Sequence, residues 1–291
     1  MSSSLFPVHH RYVQADGLRV FYREAGDPSA PTLLLLHGFP TSSLMFRELI
    51  QRLAGRFHLV APDLPGFGFT EVPDARGYVY DFDHLGRTLE AFVDALDLQR
   101  YTLYVFDYGA PAGLRLALAK PERVSGLISQ NGNAYLEGLG EAWDPMRRYW
   151  ADPSADNREA LRQFLSLEAT RWQYENGEPD PTLVAPEAYH LDYLLMQRSG
   201  NADIQLDLTL DYANNLTLYP QFQQFFRERR VPTLVVWGRH DPFFIPPGAQ
   251  AYRRDNPDAQ VELLDAGHFA LATHGAHIAR RIEDVFGAAR G

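Results

Sequence analysis

Short apolar runs alternate with helical patterns over the first part of the chain. One helical pattern begins at Asp81, a suitable N-cap residue, and another begins near Gly109 and ends near Pro121. Strands that alternate with helices indicate crossover connections and a mostly parallel sheet. The apolar runs predict buried strands at residues 19–23, 32–36, 58–61, 102–106 and 124–129.

The pattern changes over residues 134–225, where the sequence has helical patterns and many aromatic side chains. Strand patterns resume at 233–237 and 261–264, and a closing helix carries Ile278 and Ile282 on one face. We therefore expect one α/β core formed by residues 1–133 and 226–291, with a helical cap inserted at 134–225. Because the insertion follows a strand, it should cover the carboxyl edge of the sheet, where open α/β folds bind ligands.

Composition narrows the classes of function. The 291 residues are 45% hydrophobic and 22% charged, which is typical of a globular protein. A formal net charge of −10 argues against nucleic-acid binding, and no apolar run is long enough for a membrane span. The amino terminus lacks the features of a signal peptide and the chain has no cysteine, so we expect a cytoplasmic protein with no membrane partner.

No motif indicates a bound group. The chain has no Walker motif, no complete dinucleotide fingerprint, no His-Glu-x-x-His sequence and no paired cysteines. The sequence therefore predicts neither a cofactor nor a metal, and the expected partners are a small apolar organic substrate and water.

Residues that could perform chemistry lie directly after predicted strands. Asp107 follows the run at 102–106, Asp241 follows 233–237, and His268 follows 261–264. Nucleophile, acid and base in this chain order are typical of the α/β-hydrolases, and Asp107 takes the turn position usually held by serine.

Together with the segments His37-Gly38-Phe39-Pro40 and Ala61-Pro62-Asp63-Leu64-Pro65-Gly66-Phe67-Gly68, these residues carry a family resemblance. Over nearly its whole length the chain resembles the α/β-hydrolase superfamily, and within it the haloalkane dehalogenases and epoxide hydrolases. The resemblance implies a mostly parallel sheet flanked by helices, with an inserted helical cap. It also implies site roles: Asp107 as nucleophile, His268 as base, Asp241 as acid, the main-chain N–H groups of Phe39 and Tyr108 as oxyanion hole, and His37 as a structural brace.

An aspartate nucleophile changes the reaction class. A carboxylate is ionised at neutral pH and can attack a saturated carbon directly, whereas serine must first lose a proton. Members of this branch form an ester on the aspartate, which a water activated by the histidine then hydrolyses. Some relatives carry the acid after the strand at 124–129, but Asn131 stands there and cannot ionise, which favours Asp241. Asp265 is interpreted as structural or solvated.

The leaving group stays open between a halide and an epoxide oxygen. Dehalogenases typically carry tryptophan directly after the nucleophile, where this chain has Tyr108, but Trp172 resembles a halide-binding cap tryptophan. Epoxide hydrolases use two cap tyrosines as proton donors. Tyr219 lies where the second is expected, and the candidates for the first are Tyr135, Tyr149 and Tyr174.

The resemblance over the whole chain and Trp172 together favour cleavage of carbon–halogen bonds in small apolar haloalkanes. Epoxide hydrolysis is the alternative, and a non-catalytic ligand receptor on the same fold is a more distant one.

Overall fold

The computed structural model describes residues 5–287. Residues 1–4, part of the amino-terminal segment considered for a signal peptide, lie outside the described residues. The sheet comprises β1 (His9–Ala15), β2 (Leu18–Ala25), β3 (Thr32–Leu36), β4 (His58–Pro62), β5 (Tyr101–Phe106), β6 (Val124–Gln130), β7 (Thr233–Gly238) and β8 (Gln260–Leu264).

The helices lie between and after these strands. They are α1 (Arg47–Leu53), α2 (Phe82–Ala95), α3 (Gly109–Ala119), α4 (Asp144–Ala151), α5 (Ala155–Ala160), α6 (Leu167–Glu175), α7 (Pro186–Met196), α8 (Asn201–Arg229), α9 (Pro246–Asp255) and α10 (Ala270–Phe286). The predicted start of α2 is confirmed: the side chain of Asp81 accepts a hydrogen bond from the main-chain N–H of His84, as an N-cap residue should.

The strands form one sheet in the order β1-β2-β4-β3-β5-β6-β7-β8. β2 is antiparallel to both of its neighbours, β1 and β4, and every other neighbouring pair is parallel. The predicted α/β fold with a mostly parallel sheet is therefore confirmed. All seven predicted strands are present, with bounds that differ by at most two residues. β1 was not predicted, because it is an edge strand exposed along most of its length and carries no apolar alternation.

Helices cover both faces of the sheet. In β3, Leu34 and Leu36 pack into one hydrophobic cluster with α2, α3 and α9, while Leu33 and Leu35 pack into a second with α1 and α10. Alternate side chains of a strand point to opposite faces, so four consecutive leucines are buried on both sides.

Helices α4 to α8 lie between β6 and β7 in the chain, within the region expected to form the cap. The longest of them, α8, continues to Arg229, beyond the expected end of the insertion at residue 225. This helix joins the core through side chains: Asp211 accepts from the main-chain N–H of Phe82 at 2.8 Å, and Asn215 accepts from Arg115 at 2.6 Å. Among the described residues, no helix combines the length and apolar character that a membrane span requires.

Candidate active site

Asp107 occupies a sharp turn between β5 and α3. Its φ of +48° lies in the left-handed region, which is unusual for a residue with a side chain. Two glycines make room for this turn: a Cβ atom at Gly38 would lie 2.3 Å from Oδ1 of Asp107, and one at Gly109 would lie 2.4 Å from the carbonyl oxygen of Leu36. The turn therefore projects the Asp107 carboxylate beyond the end of the sheet.

The two oxygens of Asp107 have different surroundings. Oδ1 accepts a hydrogen bond from the main-chain N–H of Phe39 at 2.6 Å, and the N–H of Tyr108 also bonds to this carboxylate. Oδ2 lies 3.8 Å from Nε2 of His268. Burial raises the pKa of Asp107 to about 6, although His268 and the two N–H groups favour the charged form.

His268 is buried between two carboxylates. Its Nδ1 lies 2.7 Å from Oδ2 of Asp241, whose other oxygen accepts from the main-chain N–H of Phe243 at 2.8 Å. Burial opposes the charged imidazolium, but the hydrogen bond and charge of Asp241, with the charge of Asp107, outweigh it and raise the pKa of His268. Nε2 is thus left directed towards Asp107.

Asn131, where some relatives carry the acid, lies beside Asp241. Its Nδ2 donates to Oδ2 of Asp241 at 2.7 Å, and its Oδ1 accepts from the main-chain N–H of Gly238 at 3.0 Å. Asp265, by contrast, is on the surface and pairs with His240 at 2.7 Å. The structure therefore brings Asp241, and not Asp265, to the imidazole.

His37 supports the loop that carries Phe39. Its Nε2 accepts from the main-chain N–H of Leu64 at 2.9 Å, and its Nδ1 lies 3.0 Å from the carbonyl oxygen of Gly38. Both ring nitrogens are thus occupied by main-chain groups, and the ring does not reach the cavity.

A narrow cavity of about 40 Å³ opens above Asp107. That space suits roughly three water molecules or a small organic group. The core contributes Phe39, Asp107, Tyr108, Phe243 and His268 to its wall. The cap contributes Trp143, Met146, Leu161, Phe164, Leu165, Gln173, Leu206 and Thr209. The lining is mostly apolar, with a few polar groups near Asp107.

The predicted cap contacts do not line this cavity. The side chain of Trp172 is 44% exposed, and its ring lies nearly perpendicular to that of Phe243, with 5.9 Å between the ring centroids. Tyr219, Tyr174 and Tyr149 are buried elsewhere, where their hydroxyls bond to other protein groups: Tyr219 to Asn133 and Tyr212, Tyr174 to Asp192, and Tyr149 to Arg158. The structure therefore places none of these four side chains in the wall of this cavity.

Tyr135, another candidate proton donor, is also buried away from the cavity. Its ring packs edge-on against Tyr252 and lies beside Phe226. Aromatic side chains of the cap thus serve mainly as packing.

Two cavity residues were missed by the sequence reasoning. Trp143 is 4% exposed, and its indole Nε1 has no hydrogen-bond acceptor within residues 5–287. Gln173 is 5% exposed, and its side-chain amide also lines the cavity. Gln173 directly follows Trp172, and successive helical residues point about 100° apart. The sequence thus indicated this helix, from which Gln173 and not Trp172 lines the cavity.

Comparisons with known proteins agree with this architecture. The profile of the family described as alpha/beta hydrolase fold matches residues 31–275. The chain is 48% identical to a Saccharomyces cerevisiae protein named uncharacterized hydrolase YNR064C, over 98% of this chain and 99% of that protein. It is 30% identical to haloalkane dehalogenase 2 of Mycobacterium tuberculosis, over 97% of this chain and 96% of the relative.

A solved structure of the epoxide hydrolase VrEH1 from Vigna radiata superposes with a TM-score of 0.75 at 21% identity, covering 95% of this chain and 97% of the other. At that identity the likeness concerns the fold alone. The chain belongs to the α/β-hydrolase family, with haloalkane dehalogenases among its relatives.

The described residues contain no cluster of three or more His, Cys, Asp or Glu side chains arranged to hold a metal ion.

Proposed function

We propose that the protein is a hydrolase in which Asp107 forms an alkyl ester with its substrate and His268 drives hydrolysis of that ester. The observation that carries the proposal is the asymmetry of the Asp107 carboxylate. Oδ1 accepts from the main-chain N–H of Phe39, while Oδ2 lies 3.8 Å from Nε2 of His268, and both residues line the cavity with Asp107. One oxygen is therefore available for attack, and the other already lies where a carbonyl oxygen would be stabilised.

In the first step Oδ2 of Asp107 attacks the saturated carbon that bears the leaving group. A carbon–oxygen bond forms as the carbon–halogen bond breaks, and the bond's electron pair leaves with the halide. The step needs no proton transfer, so it depends on the ionised carboxylate and not on His268.

In the second step His268 acts as base. Its Nε2 takes a proton from a water molecule, and the water oxygen attacks the ester carbonyl carbon. The N–H groups of Phe39 and Tyr108 stabilise the negative charge on Oδ1. The tetrahedral intermediate then expels the alkoxide, which takes the proton from His268, and leaves Asp107 as a carboxylic acid. Release of that proton to solvent restores the Asp107 carboxylate. The balance is haloalkane plus water giving alcohol, halide and one proton.

Two N–H donors support a halide as leaving group. The side chains of Trp143 and Gln173 line the cavity together with Asp107, and the buried indole N–H of Trp143 has no partner within residues 5–287. A buried donor without a partner costs about 1–3 kcal/mol, and an anion in the cavity would satisfy it. The small cavity with apolar walls further favours short haloalkanes.

Epoxide hydrolysis is the second candidate, and the side chain of Tyr108 is the observation that favours it. This tyrosine lines the cavity beside Asp107, and its hydroxyl lies 3.2 Å from Oγ1 of Thr209. A phenol there could give its proton to the epoxide oxygen as Asp107 opens the ring. The product would be a diol, and the ester intermediate would carry a hydroxyl group.

The experiment is to trap the ester in His268→Gln. The variant is incubated separately with 1-bromobutane and 1,2-epoxybutane, and intact mass and peptide mapping locate any adduct. A butyl ester on Asp107 with released bromide supports the dehalogenase. A hydroxybutyl ester formed only from the epoxide supports the second candidate. The variant that also carries Asp107→Asn should give no adduct. If neither compound labels Asp107, the proposed function is wrong for these substrates and a ligand-binding role gains support.

A further inference from the structure

A short segment of the cap packs directly against the loop that carries His268. This segment, residues 176–178, connects α6 to the chain leading into α7. Contact between the two backbones is close: a Cβ atom at Gly267 would lie 1.9 Å from the carbonyl oxygen of Asn176, and one at Gly177 would lie 3.1 Å from Cα of Gly267 and 2.7 Å from Cβ of His240 in the loop after β7. Glycine is therefore required on both sides of this junction, so the cap cannot shift here without moving the loop.

Glu178 holds the junction together. Its Oε1 accepts from the main-chain N–H of Gly267 at 3.0 Å, and its Oε2 accepts from Oγ1 of Thr273 at 2.8 Å. These two donors flank His268 in the chain, one directly before it and one in the first turns of α10. A single carboxylate from the cap thus bridges the two ends of the segment that includes the base.

Glu178 is buried at 8% exposure but does not line the cavity, so it does not touch a substrate bound above Asp107. Burial raises its pKa, and its bonds to Thr273 and Gly267 favour the charged form. A buried carboxylate is costly unless it is hydrogen-bonded. Its position here, away from the cavity and bonded to the loop of the base, indicates that it acts through that loop.

We propose that Glu178 is a positioning residue that couples the cap to His268 by fixing the main chain on both sides of it. The proposal rests on the proposed function, because its consequence for turnover concerns the ester. Formation of the ester requires only Asp107 and should not depend on Glu178. Hydrolysis requires the imidazole to aim at a water next to the ester carbonyl, and a misplacement of about 1 Å at such a site can cost about 100-fold in rate.

The test separates the two steps by rapid quench with 1-bromobutane, followed by mass measurement of the ester over time. In Glu178→Ala we expect ester formation to stay within about threefold of the unaltered protein and ester decay to slow about 10- to 100-fold. The ester should then accumulate. Glu178→Gln should recover most of the decay rate, because its amide oxygen can still accept from Gly267.

Two further variants control for folding and charge. Glu178→Asp keeps the negative charge, but its side chain is one methylene shorter and cannot reach both Gly267 and Thr273. We therefore expect it to slow ester decay as well. If Glu178→Ala does not fold, Glu178→Asp provides the test. Glu175→Ala is the matched control, because within the described residues this nearby, partly exposed carboxylate pairs with Arg171 and contacts neither Gly267 nor Thr273. Both rates should be unchanged in that variant.

A readout without turnover keeps this proposal separate from the proposed function. The Nδ1 proton of His268, bonded to Asp241 at 2.7 Å, should give a downfield proton NMR signal. We expect that signal to shift or broaden in Glu178→Asp and to stay unchanged in Glu175→Ala. Equal slowing of both steps or unchanged decay in Glu178→Ala and Glu178→Asp, or an unchanged signal in Glu178→Asp, would each overturn the positioning role. Absence of any ester in His268→Gln would overturn the proposed function alone, and the NMR comparison would still test Glu178.

Discussion

Asn131 donates its side-chain amide to Oδ2 of Asp241, the same oxygen that lies 2.7 Å from Nδ1 of His268. The amide oxygen of Asn131 meanwhile accepts from the N–H of Gly238. The position used for the acid by some relatives is thus occupied here by a residue that orients the Asp241 carboxylate.

Replacing Asn131 with Asp should shift the pH dependence of ester hydrolysis. A second carboxylate against Asp241 adds negative charge near His268, which raises the pKa of the imidazole further and keeps the base protonated to higher pH. We expect the acid limb of ester decay to move up by about one pH unit. Single-turnover decay between pH 5 and pH 9 measures it, and an unmoved limb would show that the new carboxyl binds a proton and stays neutral.

Ester formation should depend on the ionisation of Asp107. Burial raises its pKa to about 6, so the nucleophile is lost as the pH falls through that value. Below pH 6 the rate of the first bromide release should fall about tenfold per pH unit, and above pH 7 it should level off. Rapid-quench measurement of bromide gives the profile, with circular dichroism at each pH to verify the fold. A midpoint near 4 would contradict the effect of burial.

Asp107→Asn should stabilise the protein while abolishing activity. A carboxyl whose pKa is raised in the folded state destabilises the fold once it ionises, so the cost develops as the pH rises from about 4 to about 6 and persists above. At pH 8 we expect the variant to gain up to about 3 kcal/mol in the free energy of unfolding. The gain should vanish near pH 4. Thermal or urea unfolding at both values measures it, and an equal effect at the two would point to packing instead.

Trp143→Phe should weaken halide binding, whereas Trp172→Phe should not. The first removes an unpartnered indole N–H from the cavity, and the second alters a ring that is 44% exposed and outside it. Loss of one hydrogen bond to an anion corresponds to about a 10- to 100-fold higher dissociation constant. Bromide inhibition of single-turnover ester formation measures that constant. The reverse order of effects would restore Trp172 as the halide contact.

Local signals explain how much of the fold could be predicted. Buried strands such as β3 are unbroken apolar runs, and the start of α2 carries a capping aspartate. Each of these elements can therefore be predicted from a few consecutive residues. β1 could not be predicted in this way, because it is stabilised by pairing with β2 and not by burial of its own side chains. The boundary of the cap also depends on packing, since α8 continues without a break to Arg229.

The sequence by itself determined the fold, the class of relatives and the chain order of Asp107, Asp241 and His268, because each rests on a short motif next to a strand end. Only the tertiary structure decided which cap side chains face the cavity. Trp172 and Gln173 are neighbours on one helix, and the packing of that helix turns Gln173 inward and leaves Trp172 exposed. The orientation of a helix about its own axis depends on contacts between segments far apart in the chain, such as that between Glu178 and Gly267. These contacts cannot be predicted from the pattern of neighbouring residues.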